Sequence, residues 1–393
     1  MNLFKKNNIL LIYFFYLVVG IYVYSILQTS EFPQKYVFTE WLINYEGGFV
    51  RRGLLGQIVF NISEILSIDI KILILFFQIT IYTIYFIIFY LLFSKIKINF
   101  FWLLIIFSPI LFAYPLIELM TLGRKDIFVI SFFLIFSMIN YKNLNSLFFY
   151  FLIFFGISSF IHEITFFYIF HYLLIIYLYK ELILKEEIKK IHIFGFFLFI
   201  FFLLYLNLHL HNFVNIEDIV SSYDYDDFTI YSGAFSHLEP NFNTVLLETL
   251  SHIKLINVIK YLTIFILNSF PFLFFIRFKK LKYFSTLNIF LIFFILSLPV
   301  YALVLDWGRV IYINYNFFII LLFFYIKLNL VDLDYLDNKI KKLNDKSKII
   351  IFISICLMFS PDILSDNPIE YFPLPSQSIR FFGGIFEKII ELY

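Results

Sequence analysis

The chain carries six arginines among its 30 basic residues, and five of them (Arg51, Arg52, Arg124, Arg309 and Arg380) fall in short polar segments between or after long apolar runs. A guanidinium presents a planar fork of donors that grips phosphate through two bonds and stays charged at physiological pH, whereas lysine acts as a point charge. Near these arginines stand Lys125, His162 and the carboxylates Glu46, Glu118, Asp126, Glu163 and Asp306. The segments read Asn44-Tyr45-Glu46-Gly47-Gly48-Phe49-Val50-Arg51-Arg52-Gly53-Leu54-Leu55-Gly56, Leu122-Gly123-Arg124-Lys125-Asp126, His162-Glu163 and Asp306-Trp307-Gly308-Arg309. This combination suits a transfer in which a phosphate group leaves. Arg51, Arg52, Arg124, Lys125 and Arg309 would neutralise a departing diphosphate. His162 with Glu163 orienting its ring, or else Glu46 or Asp306, would take the proton from an attacking hydroxyl.

Each segment alone has an ordinary structural explanation. Arg51 and Arg52 fit an interfacial helix against anionic headgroups, although glycines at 47, 48, 53 and 56 favour a shaped loop. That glycine pattern lacks the Lys-Ser/Thr ending of a phosphate loop. Arg124, Lys125 and Asp126 fit a charge cluster at a helix end, His162 and Glu163 a polar turn, and Asp306 with Arg309 an i, i+3 pair. His209 and His211 lack a spacing that demands a metal, and the acidic stretch Asp224, Tyr225, Asp226, Asp227 is at most a cation candidate. No metal site and no cofactor is expected, because a diphosphate is already an activated leaving group.

The elements that must position these residues follow from composition. Of 393 residues, 62% are hydrophobic, 23% aromatic and only 15% charged, with a mean hydropathy of +0.89. A soluble domain of this length carries roughly 25% charged residues, so the chain reads as an all-α, multi-pass membrane protein. The single Cys356 excludes a disulfide scaffold and a paired-cysteine zinc site. A net charge of +2 gives no reason to expect a nucleic-acid partner. A spanning helix needs roughly 20 apolar residues, and that length predicts about eleven spans. They are 8–27, 70–94, 98–120, 127–140, two within 146–179 that meet at His162 and Glu163, then 192–210, 260–276, 285–305, 310–325 and 349–360.

Lysine distribution orients the spans. With a cytoplasmic N-terminus, inside segments collect Lys5, Lys6, Lys95, Lys97, Lys142, Lys180 to Lys190, Arg277 to Lys282 and Lys327 to Lys348, including a charged cytoplasmic loop at 327–348. Extracytoplasmic loops then cover 28–69 and 210–259, and the tail 361–393 is also extracytoplasmic; none forms a separate domain. All four polar segments fall on that outer side, where four independent structural accidents are a poorer explanation than one shared site.

At these residues the sequence resembles the O-antigen and capsular polysaccharide polymerases of bacterial inner membranes. The resemblance lies in the general layout, the Gly-Phe-Val-Arg-Arg-Gly-Leu segment, Gly-Arg-Lys-Asp, the His-Glu pair and Asp-Trp-Gly-Arg. It implies a glycosyltransferase-C-like enzyme that joins undecaprenyl-diphosphate-linked repeat units at the periplasmic face during lipopolysaccharide or capsule synthesis. The bilayer, a chain-length regulator and a flippase are the implied partners. Many such enzymes carry their arginines in large second-half loops, whereas 210–259 here has none. Two other readings stay open. One is an enzyme using a polyprenyl-monophosphate sugar with Glu40 or Glu46 as base, and the other is a transporter of the same lipid-linked sugars.

Overall fold

Apolar runs that must satisfy their own backbone groups in a bilayer form helices, and the computed structural model is almost wholly helical. The structure describes residues 3–29, 36–208, 214–223, 233–238, 247, 251, 254–278, 295–296, 299–301, 303–304, 306–357, 359–362 and 369–371. Helices α1 (Leu3–Thr29), α2 (Tyr36–Leu42), α3 (Gly53–Leu66), α4 (Ile70–Ser94), α5 (Phe100–Ile106), α6 (Tyr114–Ile117), α7 (Asp126–Met138) and α8 (Leu144–Ile161) form the first half. A 3-10 turn, Glu163–Tyr168, leads into α9 (Ile169–Tyr179), followed by α10 (Lys190–Leu208) and α11 (Ile216–Ser221). After a second 3-10 turn, Gly233–His237, come α12 (Leu255–Phe275), α13 (Trp307–Lys327), α14 (Leu333–Lys341) and α15 (Asp345–Cys356). A short antiparallel ribbon pairs β1 (Phe359–Pro361) with β2 (Ile369–Tyr371).

Among the described residues, seven helical segments are long and apolar enough to cross a membrane: Asn8–Ile26, Ile70–Ser94, Leu144–Ile161, Glu163–Leu184, Lys190–Asn207, Leu255–Phe275 and Trp307–Lys327. The chain therefore has the build of a polytopic membrane protein. Seven of the expected spans correspond to these helices, the spans expected at 98–120, 127–140 and 349–360 do not, and the one expected at 285–305 falls largely outside the described residues. The 98–120 stretch breaks into α5 and α6 around Pro109, which lacks a backbone donor and disfavours helical geometry at Ser108, while Pro115 sits in the first turn of α6, where no donor is needed. Helix α7 has 13 residues and α15 has 12, each short of a continuous crossing. Most of 285–305, the acidic stretch 224–227 and nearly all of the tail, including Arg380, lie outside the described residues.

Burial grades the helices from centre to rim. Within α13 most residues from Trp307 to Tyr325 are buried, as expected of a helix apolar on all sides. Phe317 on α13 stacks on Phe133 of α7 with ring centroids 4.3 Å apart. Helix α10 instead exposes Phe194, Phe197, Leu198 and Phe201, the pattern of a lipid-facing rim. The expected 28–69 loop is not peripheral, since Trp41, Leu42, Ile43, Val50 and Val59 are wholly buried.

The described residues separate two chemistries to opposite ends of the bundle. At one end, Lys327 at the close of α13 donates to the carbonyls of Met138 and Ile139 at 3.0 and 2.8 Å, a cation on the negative end of α7. Asn99 donates to Asp337, and the Arg277 guanidinium lies over the Tyr335 ring at 5.6 Å. These contacts gather the lysine-bearing turns together. Helices α7 and α13 begin at the other end, with Asp126 and Trp307.

Candidate functional site

Four short segments at the ends of the long helices, 36–52, 122–126, 162–163 and 306–309, bring the polar residues together. Helix α2 is buried from Val37 to Leu42, and Glu40 lies in it fully buried. The 3-10 turn at Gly233–His237 packs on α2, where the Ala234 amide donates to Thr39 Oγ1 at 2.7 Å. After α2 the chain turns back into α3, and Gly56 there passes so close to Ile43 that a Cβ would stand 1.9 Å from its carbonyl oxygen. Arg52 precedes α3 in the left-handed region, φ 68°, an uncommon conformation for a residue with a side chain. The loop bearing Arg124 and Lys125 is pinned at Gly123, φ 79°, whose carbonyl accepts from Trp41 Nε1 at 2.7 Å and Gln78 Nε2 at 3.1 Å. Helix α8 ends at Ile161, and extended His162 caps the following turn through its Nδ1, which accepts from the Ile164 amide at 3.2 Å.

Their side chains form one buried ion-pair network. Arg52 Nε donates to both Glu163 oxygens at 2.7 and 2.9 Å, its Nη2 also pairs with Glu163, and its Nη1 donates to Tyr36 Oη at 3.3 Å. Arg124 Nη1 donates to Asp306 Oδ2 at 2.9 Å, with its guanidinium 4.6 Å from the Tyr36 ring centroid. Arg309 Nη1 donates to Asp126 Oδ2 at 3.2 Å, and its Nε approaches Asp306 at 3.4 Å. Lys125 Nζ, fully buried, donates to the Arg52 carbonyl at 2.6 Å and so holds the backbone that carries that arginine.

Glu40 is at the centre. Its Oε1 lies 3.6 Å from Arg52 Nη1 and 3.7 Å from His162 Nε2, and its Oε2 lies 3.7 Å from Arg124 Nε. These separations are too long for hydrogen bonds. Among the described residues neither Glu40 oxygen has a hydrogen-bond partner, nor do Arg124 Nε, His162 Nε2 and Arg309 Nε. A buried carboxylate in this condition retains its full capacity to accept a proton or a hydrogen bond.

Electrostatics divides the roles. Burial works against charge on Arg124, but Glu40, Tyr36, Asp306 and Asp126 more than offset it and raise its pKa. Arg52 is raised well above its ordinary value in the same way, with Glu163 as the main counterweight to burial. Burial favours a neutral Asp306 carboxyl, yet Arg309 and Arg124 hold it below the usual range. Burial pushes the Lys125 ammonium down to about 7, against the pull of Glu40. Burial, then Arg52, pushes His162 well below its ordinary value, so the ring is neutral. Since Nδ1 already accepts from a backbone amide, the neutral ring carries its proton on Nε2, aimed between Glu40 Oε1 and Asp126 Oδ1 at 3.7 and 3.6 Å.

Of the residues expected to act together, the network contains Arg52, Arg124, Lys125, His162, Glu163, Asp306 and Arg309. Arg51 stands beside it, donating to the His237 carbonyl at 3.1 Å. Glu46 is elsewhere, exposed and accepting from Gln57 at 2.9 Å. Glu163 Oε2 stands 3.4 Å from His162 Nδ1, beside the ring it was expected to orient, while both its oxygens also accept from Arg52; with Nδ1 accepting from the Ile164 amide, His162 presents an N–H at Nε2. Sequence reasoning gave Tyr36 no role and placed Asp126 only among nearby carboxylates. Glu40, expected as a base only in the monophosphate-sugar alternative, is the one carboxylate inside the otherwise uncharged segment Tyr36–Leu42. Comparisons of the chain with protein-family models, with curated proteins and with solved structures return no match.

Proposed function

We propose that the protein is a membrane glycosyltransferase that moves a sugar from a polyprenyl-phosphate carrier to a hydroxyl acceptor at the arginine-bearing end of the bundle. In the form the resemblance implies, it is a polymerase joining undecaprenyl-diphosphate-linked repeat units at the extracytoplasmic face of a bacterial inner membrane. The observation that carries the reading is Glu40, a buried carboxylate with no hydrogen-bond partner among the described residues, set against two guanidiniums and an imidazole. Glu40 takes the proton of the attacking hydroxyl, and Arg52 and Arg124 hold the leaving phosphate, exchanging Glu163 and Asp306 for phosphate oxygens. Arg52, Glu163 and Asp306 keep side-chain exposures of 16%, 24% and 24%, which supports an entrance on their side of the network. The Asn268 and Asn316 side chains deeper in the bundle are already paired with Ser108, Ile264, Tyr85 and Tyr312, which supports a site at one end over a transport path.

Charge balance favours the monophosphate form of the donor as a second reading. Four cations, Arg52, Arg124, Lys125 and Arg309, face four carboxylates, Glu40, Asp126, Glu163 and Asp306, leaving Arg51 as the cation beside a nearly neutral cluster. A sugar monophosphate diester brings one negative charge and a diphosphate diester brings two. Purified protein in liposomes, offered synthetic diphosphate- and monophosphate-linked sugars with a glycan acceptor, separates the two forms by which lipid phosphate is released. If neither donor is consumed by protein that is inserted and folded, the proposal is wrong. Facing is read separately by placing a cysteine at position 51 and labelling with impermeant reagents, since Cys356 is wholly buried and gives little background.

A further inference from the structure

Five buried polar atoms in the network lack hydrogen-bond partners among the described residues, and they are complementary. Glu40 Oε1 and Oε2 are acceptors, whereas His162 Nε2, Arg124 Nε and Arg309 Nε are donors. Residues Glu40, Arg124, His162 and Arg309 are each 5% exposed or less, so bulk solvent does not serve these atoms. The donor on His162 stands 3.7 Å from Glu40 Oε1 and 3.6 Å from Asp126 Oδ1. An oxygen placed about 2.8 Å from His162 Nε2 and from either carboxylate oxygen subtends an angle of about 80° between them, within reach of a water or hydroxyl. A buried water typically makes about three such bonds. Here it would accept from His162 and donate to Glu40 and Asp126.

We infer that Glu40, His162 and Asp126 form a binding site for one small hydroxylic oxygen, and that with water in it the protein hydrolyses its lipid-linked sugar. The inference rests on the proposed transferase reading, and it adds an activity that reading does not require. The acceptor sugar's hydroxyl occupies the same position during transfer, so water and acceptor compete. In the hydrolytic step a bond forms between the water oxygen and the anomeric carbon. The bond from that carbon to the phosphate oxygen breaks, and its electron pair leaves with the phosphate. The water proton passes to Glu40. The products are a free reducing sugar and the lipid phosphate or diphosphate.

The test uses the full-length protein in liposomes with a lipid-linked sugar donor in water enriched in oxygen-18. Without acceptor, the expected result is slow release of reducing sugar carrying the label at its anomeric oxygen, suppressed at least tenfold when acceptor is added. Glu40→Gln is expected to reduce hydrolysis and transfer together. Transfer to acceptor with no labelled sugar released in its absence overturns this inference and leaves the transferase reading standing. Label found in the phosphate product instead means attack at phosphorus and also overturns it. Failure of both transfer and release in folded wild-type protein removes the transferase reading and this inference with it. These label outcomes are read on the wild type, so they do not depend on whether Glu40→Gln folds.

Discussion

Arg52→Lys separates the geometry of a guanidinium from its charge. In the structure Arg52 spends its Nε on both oxygens of Glu163, at 2.7 and 2.9 Å, adds a contact through Nη2, and reaches Tyr36 with Nη1 at 3.3 Å. A lysine ammonium at the same position keeps the positive charge but makes one good contact where the fork makes two or more. A hydrogen bond to a charged group is worth about 1.5–3 kcal/mol. Side-chain exposures of 16% and 24% for the pair place the loss near the lower end of that range. If the same fork passes from Glu163 to phosphate oxygens in the transition state, losing one charge-assisted bond at about 1.5–2 kcal/mol lowers kcat/KM roughly tenfold to thirtyfold. The assay is sugar transfer in liposomes with insertion verified, comparing wild type, Arg52→Lys and Arg52→Gln. If Arg52→Lys stays within about threefold of wild type while Arg52→Gln is inactive, position 52 needs only a charge, and the argument from the fork is refuted.

Other perturbations follow from the same geometry. Lys125, with its pKa lowered to about 7, binds a proton less readily folded than unfolded; its penalty is full below pH 7 and is relieved as pH rises toward its unfolded value near 10.4. Wild-type thermal stability relative to Lys125→Met is therefore expected to improve between pH 7 and 9.5, and a flat difference across that range would contradict a buried, easily deprotonated ammonium. His162 acts as a neutral donor through Nε2, so His162→Gln, which keeps an N–H near that point, is expected to retain transfer to within about tenfold while His162→Ala loses more; equal loss in both would assign the ring another role. At the opposite end, Lys327→Met removes donors to the Met138 and Ile139 carbonyls and should lower stability by about 1–2 kcal/mol without changing kcat/KM of the folded fraction, measured by thermal unfolding alongside transfer.

Much of the membrane layout is legible in the chain because hydropathy and length are local properties. Helices α1, α4, α8, α10, α12 and α13 follow from apolar runs of the right length, and the break at His162 and Glu163 follows from a costly polar pair inside one such run. The failures are also physical. Pro109 divides what hydropathy joins, and α7 stops after 13 residues at an end where Lys327 supplies the closing contacts from far along the chain.

At the site, the order of residues already shows which types stand between the apolar runs: arginines, one histidine and carboxylates too expensive to bury unpaired. The partners emerge from folding in three dimensions. Glu40 and Glu46 are six positions apart and chemically alike, yet one is sealed among Arg52, Arg124 and His162 and the other meets Gln57 at the surface. Glu163 is sequence neighbour to His162 but partner to Arg52, 111 positions away, and Arg124 reaches Asp306, 182 positions away. Pairing of charges depends on distance in space and on the local exclusion of water, and neither is a property of a residue's place in the chain.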